Sequence, residues 1–135
     1  MKSKTINVPI YECGLTIILT DDLNEVVKKY KLKGNWDNFG ALTFGDKSKH
    51  RHYVVAFTDA SHLSNIAHEI VHIKNYIFHG INAEIDIDND EPEAYLTGWL
   101  FDKIYDFLKQ QEQCKCGQPK IGGYTCQRTD CNQNL

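Results

Sequence analysis

The chain has 135 residues, of which 41% are hydrophobic, and this is enough for one compact domain but too little for two. Its formal net charge of -3 gives no general attraction to nucleic acids or anionic membranes, so neither is an expected partner. The opening residues lack the apolar run of a secretion signal, and no stretch reaches the roughly 20 apolar residues of a membrane span. We therefore expect a cytoplasmic protein. No feature of the sequence indicates an oligomeric state.

Strands and one short helix are predicted for the first 60 residues. Residues 5–19 are rich in β-branched and apolar side chains and predict a bent strand or a hairpin. Asp21 and Asp22 provide N-cap chemistry for a short amphipathic helix. Residues 41–44 and 52–57 are β-like runs separated by a polar loop. Together the last two runs predict a second hairpin.

Two long helices are predicted in the second half of the chain. From residue 61 or 62 to 79 apolar side chains recur over a wide face, which is typical of a helix packed on a sheet, and Gly80 is a suitable stop. Residues 91–111 repeat apolar side chains at helical intervals, with Pro92 in the first turn. We predict an α+β fold for residues 1–112, in which a small antiparallel or mixed sheet packs on these two helices.

The sequence His68-Glu69-Ile70-Val71-His72 is the pattern HExxH. Histidines four residues apart on a helix project from one face, one turn apart, so both imidazoles can reach the same metal ion. Glu69 lies beside such an ion, where a base can take a proton from water. Zinc suits three protein ligands and one open position. The pattern therefore predicts a catalytic zinc site with His68 and His72 as ligands and Glu69 as the base.

A third zinc ligand is expected from the acidic residues that open the second long helix. His79 is excluded as a chelator on the same helix, since it lies roughly 10 Å farther along the axis. HExxH followed by Glu91-Pro92-Glu93-Ala94-Tyr95 resembles the gluzincin metallopeptidases, in which a glutamate of a later helix, often in an ExxA context, completes the site. The resemblance implies Glu91 as the third ligand. Glu93 is the alternative.

The resemblance covers about a third of the chain, from the HExxH helix through the second long helix. It implies a minimal zincin, similar to the ImmA and IrrE-like group or to phage-type enzymes, with peptide hydrolysis as its activity. In this interpretation the strand at residues 53–57, which precedes the HExxH helix, is an edge strand. The competing interpretation is a chance HExxH on a structural helix.

The last residues, 113–135, form a cysteine-rich tail with too few large apolar side chains for a core of its own. Four of the five cysteines are here and could bind a structural zinc ion. The tail resembles a shortened form of the zinc ribbon of SprT-like metalloproteases. Free thiols are the alternative. The four candidate ligands of this second site are Cys114, Cys116, Cys126 and Cys131.

Two classes of function follow from these sites. The leading hypothesis is zinc-dependent hydrolysis of a peptide or protein substrate, with Glu69 as the general base; a regulatory peptidase that cuts one dedicated partner shares this chemistry. The alternative is a non-catalytic zinc-binding domain that docks a protein or nucleic acid through its tail. Basic residues are sparse in that tail, so phosphate-driven affinity is expected to be modest.

Overall fold

A computed structural model describes residues 1–58 and 62–111. The fold is α+β, as predicted, with a four-stranded mixed sheet and three helices in this part of the chain. In chain order the elements are β1 (Lys2–Val8), β2 (Cys13–Leu19), α1 (Leu23–Lys29), β3 (Ala41–Gly45), β4 (His52–Phe57), α2 (Leu63–Gly80) and α3 (Glu91–Gln111).

The sheet has the strand order β1-β2-β4-β3. The outer pairs β1/β2 and β3/β4 are antiparallel hairpins, and β2 pairs with β4 in parallel. The prediction of an edge strand at residues 53–57 is therefore wrong, because β4 lies inside the sheet, whose edge strands are β1 and β3. The burial of all six β4 residues gives the reason: a continuous apolar run marks a strand covered on both faces.

Helices cover both faces of the sheet. Alternate residues of β2 and β4, among them Ile17 and Val55, face α2 and α3 and form the larger core. The opposite face, with Ile18 and Val54, packs against α1. The HExxH helix α2 lies over β3 and β4, and α3 lies over β2. The sheet and α3 thus cover the buried side of α2 together, and the other side of this helix is left to the surface.

The start of α1 and the bounds of α2 and α3 agree closely with the sequence signals. Asp22 is the N-cap of α1, and its side chain accepts a hydrogen bond from the Asn24 backbone N–H. Helix α2 ends at Gly80, but the left-handed residue that closes it is Asn82, with φ 60°. Gly80 has a different role, since a Cβ there would lie 2.6 Å from the Tyr53 hydroxyl. This glycine allows α2 to approach β4 closely.

The segment 5–19 belongs to the β1–β2 hairpin, and a glycine within it, Gly14, is required by packing. Gly14 lies in β2 opposite His52 of β4, and a Cβ at this position would lie 2.3 Å from the His52 ring. The ring cannot easily move aside, because it is buried and bonded through Nε2 to the Thr16 hydroxyl at 2.7 Å. A side chain larger than hydrogen at residue 14 must therefore displace β2 or His52.

We expect Gly14→Ala to lower the free energy of unfolding by about 1–3 kcal/mol, since overpacking a buried contact costs this much. Urea denaturation followed by circular dichroism measures the effect. Gly98→Ala is the matched control: nothing lies within 4 Å of a Cβ at this α3 position, so alanine should leave stability unchanged or raise it. A Gly14→Ala protein as stable as wild type would contradict the close contact with His52.

No helix in the described part of the chain is both long and apolar enough to cross a membrane. The tail at residues 113–135 lies outside the described residues, together with its four cysteines. The structural zinc site and the separation of a tail from a domain at 1–112 therefore stay predictions.

Candidate metal centre

Helix α2 presents His68 and His72 side by side on its solvent-facing surface. Both side chains are exposed, as expected for residues four apart on the side opposite the core residues Ile66, Ile70 and Ile73. Their Nε2 atoms are 3.3 Å apart. The two imidazoles therefore converge on one point outside the helix, as the HExxH spacing predicts.

This separation matches what a shared metal ion requires. Two nitrogens bound to tetrahedral zinc at about 2.0–2.1 Å stand roughly 3.3 Å from each other. The spacing of the two nitrogens thus fits a tetrahedral ion.

Glu69 lies beside the histidines but points toward the sheet. Its side chain is buried, with only 6% exposed, because it is rotated about 100° from His68 around the helix axis. The Thr43 hydroxyl of β3 donates a hydrogen bond of 2.5 Å to Glu69 Oε2. A buried carboxylate needs such a partner to offset its desolvation. The edge strand therefore holds Glu69 next to the two histidines.

One ligand atom from each of His68, Glu69 and His72 falls within 4.8 Å of the others, so this group could hold a metal ion. It is the one group of three or more potential histidine, cysteine or carboxylate ligands that residues 1–58 and 62–111 bring together. The three residues of the HExxH prediction are thus placed together.

The third predicted ligand, Glu91, stands apart from this group. Glu91 is the exposed first residue of α3 and is not brought within the same distance of His68 and His72. The alternative, Glu93, is already engaged: its carboxylate forms a salt bridge with Lys74 of α2, and both side chains are largely buried. This ion pair holds the start of α3 against α2, whereas Glu91 makes no side-chain hydrogen bond or salt bridge to the residues that the structure describes.

No strand in the described part of the chain pairs with the outer edge of β3, and this edge lies next to the metal-binding group. Asp46 N–H donates to the His52 carbonyl (2.8 Å), and Thr58 N–H donates to the Gly40 carbonyl (3.0 Å). Hydrogen-bonded pairs alternate along an antiparallel ladder, so the even-numbered residues of β3 bond to β4. The outward-facing backbone groups are those of the odd-numbered residues, Ala41, Thr43 and Gly45.

Two residues of this region carry signals that the sequence analysis did not use. Thr43 is the single polar side chain in the strand Ala41–Gly45, between the buried Leu42 and Phe44. Its alternation places it on the opposite face from these two residues, toward α2. Lys74 is a charged residue on a flank of α2 that is otherwise apolar. Thr43 connects β3 to the HExxH residue Glu69, and Lys74 connects α2 to α3.

Comparison of the chain with protein-family models, with curated proteins and with solved structures finds no match. The assignment of a function therefore depends on the geometry of this group and its surroundings.

Proposed function

We propose that this protein is a zinc-dependent metallopeptidase of gluzincin type. The observation that carries the proposal is the placement of two imidazole nitrogens 3.3 Å apart beside a buried carboxylate that is anchored to a free strand edge. His68 and His72 would hold the zinc ion, and Glu91, which lies outside this group in the structure, would have to approach them to complete the ligand set. The two histidines support zinc binding, and the strand edge supports a peptide as the substrate.

When bound, zinc lowers the pKa of water toward neutrality and polarises the carbonyl group to be cleaved. Glu69 is the general base: its carboxylate accepts a proton from the attacking water, whose oxygen adds to the carbonyl carbon. Glu69 then donates this proton to the amide nitrogen as the C–N bond breaks, so that the products are a carboxylic acid and an amine, which at neutral pH ionise to a carboxylate and an ammonium group. Its burial keeps the carboxylate in a fixed position, ready for both transfers.

The edge of β3 is what favours a peptide over other hydrolysable substrates. An extended peptide can add to a free strand edge through main-chain hydrogen bonds, whatever its side chains. Ala41, Thr43 and Gly45 offer their backbone groups along that edge, and Thr43 also contacts Glu69. A peptide paired with β3 would therefore place one of its bonds beside the base.

Metal removal tests the proposal. We expect purified protein to contain zinc, to cleave unstructured peptides, to lose cleavage after treatment with a chelator, and to regain it when zinc is returned. Elemental analysis and mass spectrometry of the cleavage products provide the two measurements. Zinc binding at His68 and His72 without cleavage of any peptide would overturn the catalytic proposal and favour a docking domain.

A further inference from the structure

The hydrogen bond between Thr43 and Glu69 connects the edge strand to the proposed base. Within residues 1–58 and 62–111 it is the one side-chain hydrogen bond that Glu69 makes, and it occupies only the Oε2 atom of the carboxylate. The other oxygen, Oε1, accepts nothing from the described residues. Among the described residues, a single hydroxyl on a neighbouring strand is therefore what orients the carboxylate.

Thr43 also presents its main chain to the free edge of the sheet. Its backbone N–H and C=O point away from β4, while its side chain points toward α2. The same residue therefore touches Glu69 through its hydroxyl and would touch a peptide paired with β3 through its backbone. Thr43 is the one residue of β3 that both bonds to Glu69 through its side chain and directs its backbone groups to the outer edge of the strand.

We propose that Thr43 is a positioning residue, whose hydroxyl fixes the Glu69 carboxylate relative to a peptide that pairs with its own backbone. This inference rests on the proposed peptidase function. The hydroxyl takes up Oε2 and directs Oε1 to the attacking water. Because the backbone of Thr43 does the pairing, loss of the hydroxyl should misplace the base without weakening peptide binding.

Thr43→Val and Thr43→Ser separate these roles. Valine keeps the size and β-branched shape of threonine but cannot donate, whereas serine keeps the donor. We expect Thr43→Val to lower kcat about 10-fold, the effect of losing one positioning hydrogen bond, with KM changed less than about 2-fold. Thr43→Ser should return kcat to within about 2-fold of wild type. The control is Thr5→Val on the far edge strand β1, which removes a hydroxyl bonded to Thr16 and should leave kcat unchanged.

Crystal structures of the zinc-loaded Thr43→Val and Thr43→Ser proteins provide a second measurement that does not depend on activity. We expect the Glu69 carboxylate to leave its position in Thr43→Val and to keep it in Thr43→Ser. An unmoved carboxylate in Thr43→Val, a wild-type kcat for this variant, or a failure of serine to rescue would each overturn the role of Thr43. A wild-type protein that cleaves no peptide would overturn the proposed function instead, and the two structures would still decide whether Thr43 positions Glu69.

Discussion

Glu69→Gln is expected to bind zinc as the wild type does and to lose peptide cleavage by about 10²- to 10⁴-fold, the usual contribution of a general base. Glutamine has the shape of glutamate, and its carbonyl oxygen can accept the same hydrogen bond from Thr43, so the fold around residue 69 should be preserved. It cannot accept a proton at neutral pH. The measurements are kcat/KM for an unstructured peptide and zinc content by elemental analysis.

The matched control for this variant is Glu25→Gln. Glu25 is exposed on α1, which covers the opposite face of the sheet, so the same chemical change there should affect neither zinc content nor cleavage. If Glu69→Gln cleaved the peptide at the wild-type rate, Glu69 would not be the base. Loss of both zinc and cleavage would instead identify Glu69 as a metal ligand.

His68→Ala is expected to remove one equivalent of zinc relative to the wild type. A single remaining imidazole on α2 cannot hold the ion in the geometry that the 3.3 Å nitrogen pair provides, because a catalytic zinc site uses three protein ligands. His79→Ala is the matched control, since His79 lies on the same helix but seven residues beyond His72, roughly 10 Å along the axis. This control protein should retain its full zinc content.

The same zinc measurement distinguishes Glu91 from Glu93 as the third ligand. We expect Glu91→Gln to weaken zinc binding, whereas Glu93→Gln should mainly lower thermal stability, because it breaks the salt bridge to Lys74 between α2 and α3. Equal zinc binding by wild type and Glu91→Gln would exclude Glu91 from the ligand set. Full zinc retention by His68→Ala would exclude the α2 site altogether.

The sequence predicts the helices well because their signals are local. Pro92 and the acidic first turn define the start of α3 at Glu91, and the HExxH spacing places His68 and His72 on one helix face. Both predictions depend only on residues within a few turns of each other. The structure confirms both the start of α3 and the shared helix face of His68 and His72.

The order of the strands and the surroundings of Glu69 depend on long-range pairing, which periodicity does not reveal. The composition of residues 52–57 indicates a strand, but only the parallel pairing of β4 with β2 makes it internal. Thr43 likewise becomes a partner of Glu69 only because β3 lies under α2, 26 residues away in the sequence. The rotation of α3 about α2, which decides the position of Glu91, is set by tertiary contacts such as the ion pair of Lys74.

The length of β3 limits how much of a substrate this site can recognise. The strand has five residues, and three of them direct backbone groups outward, so at about 3.4 Å per residue its edge spans roughly 17 Å. If the proposed function holds, main-chain hydrogen bonds to β3 would bind about five residues of an extended segment, whatever their side chains. Compact folded surfaces cannot offer such a segment. Selection among proteins would then follow from which of them expose a flexible stretch, with local unfolding as the step that makes a bond accessible.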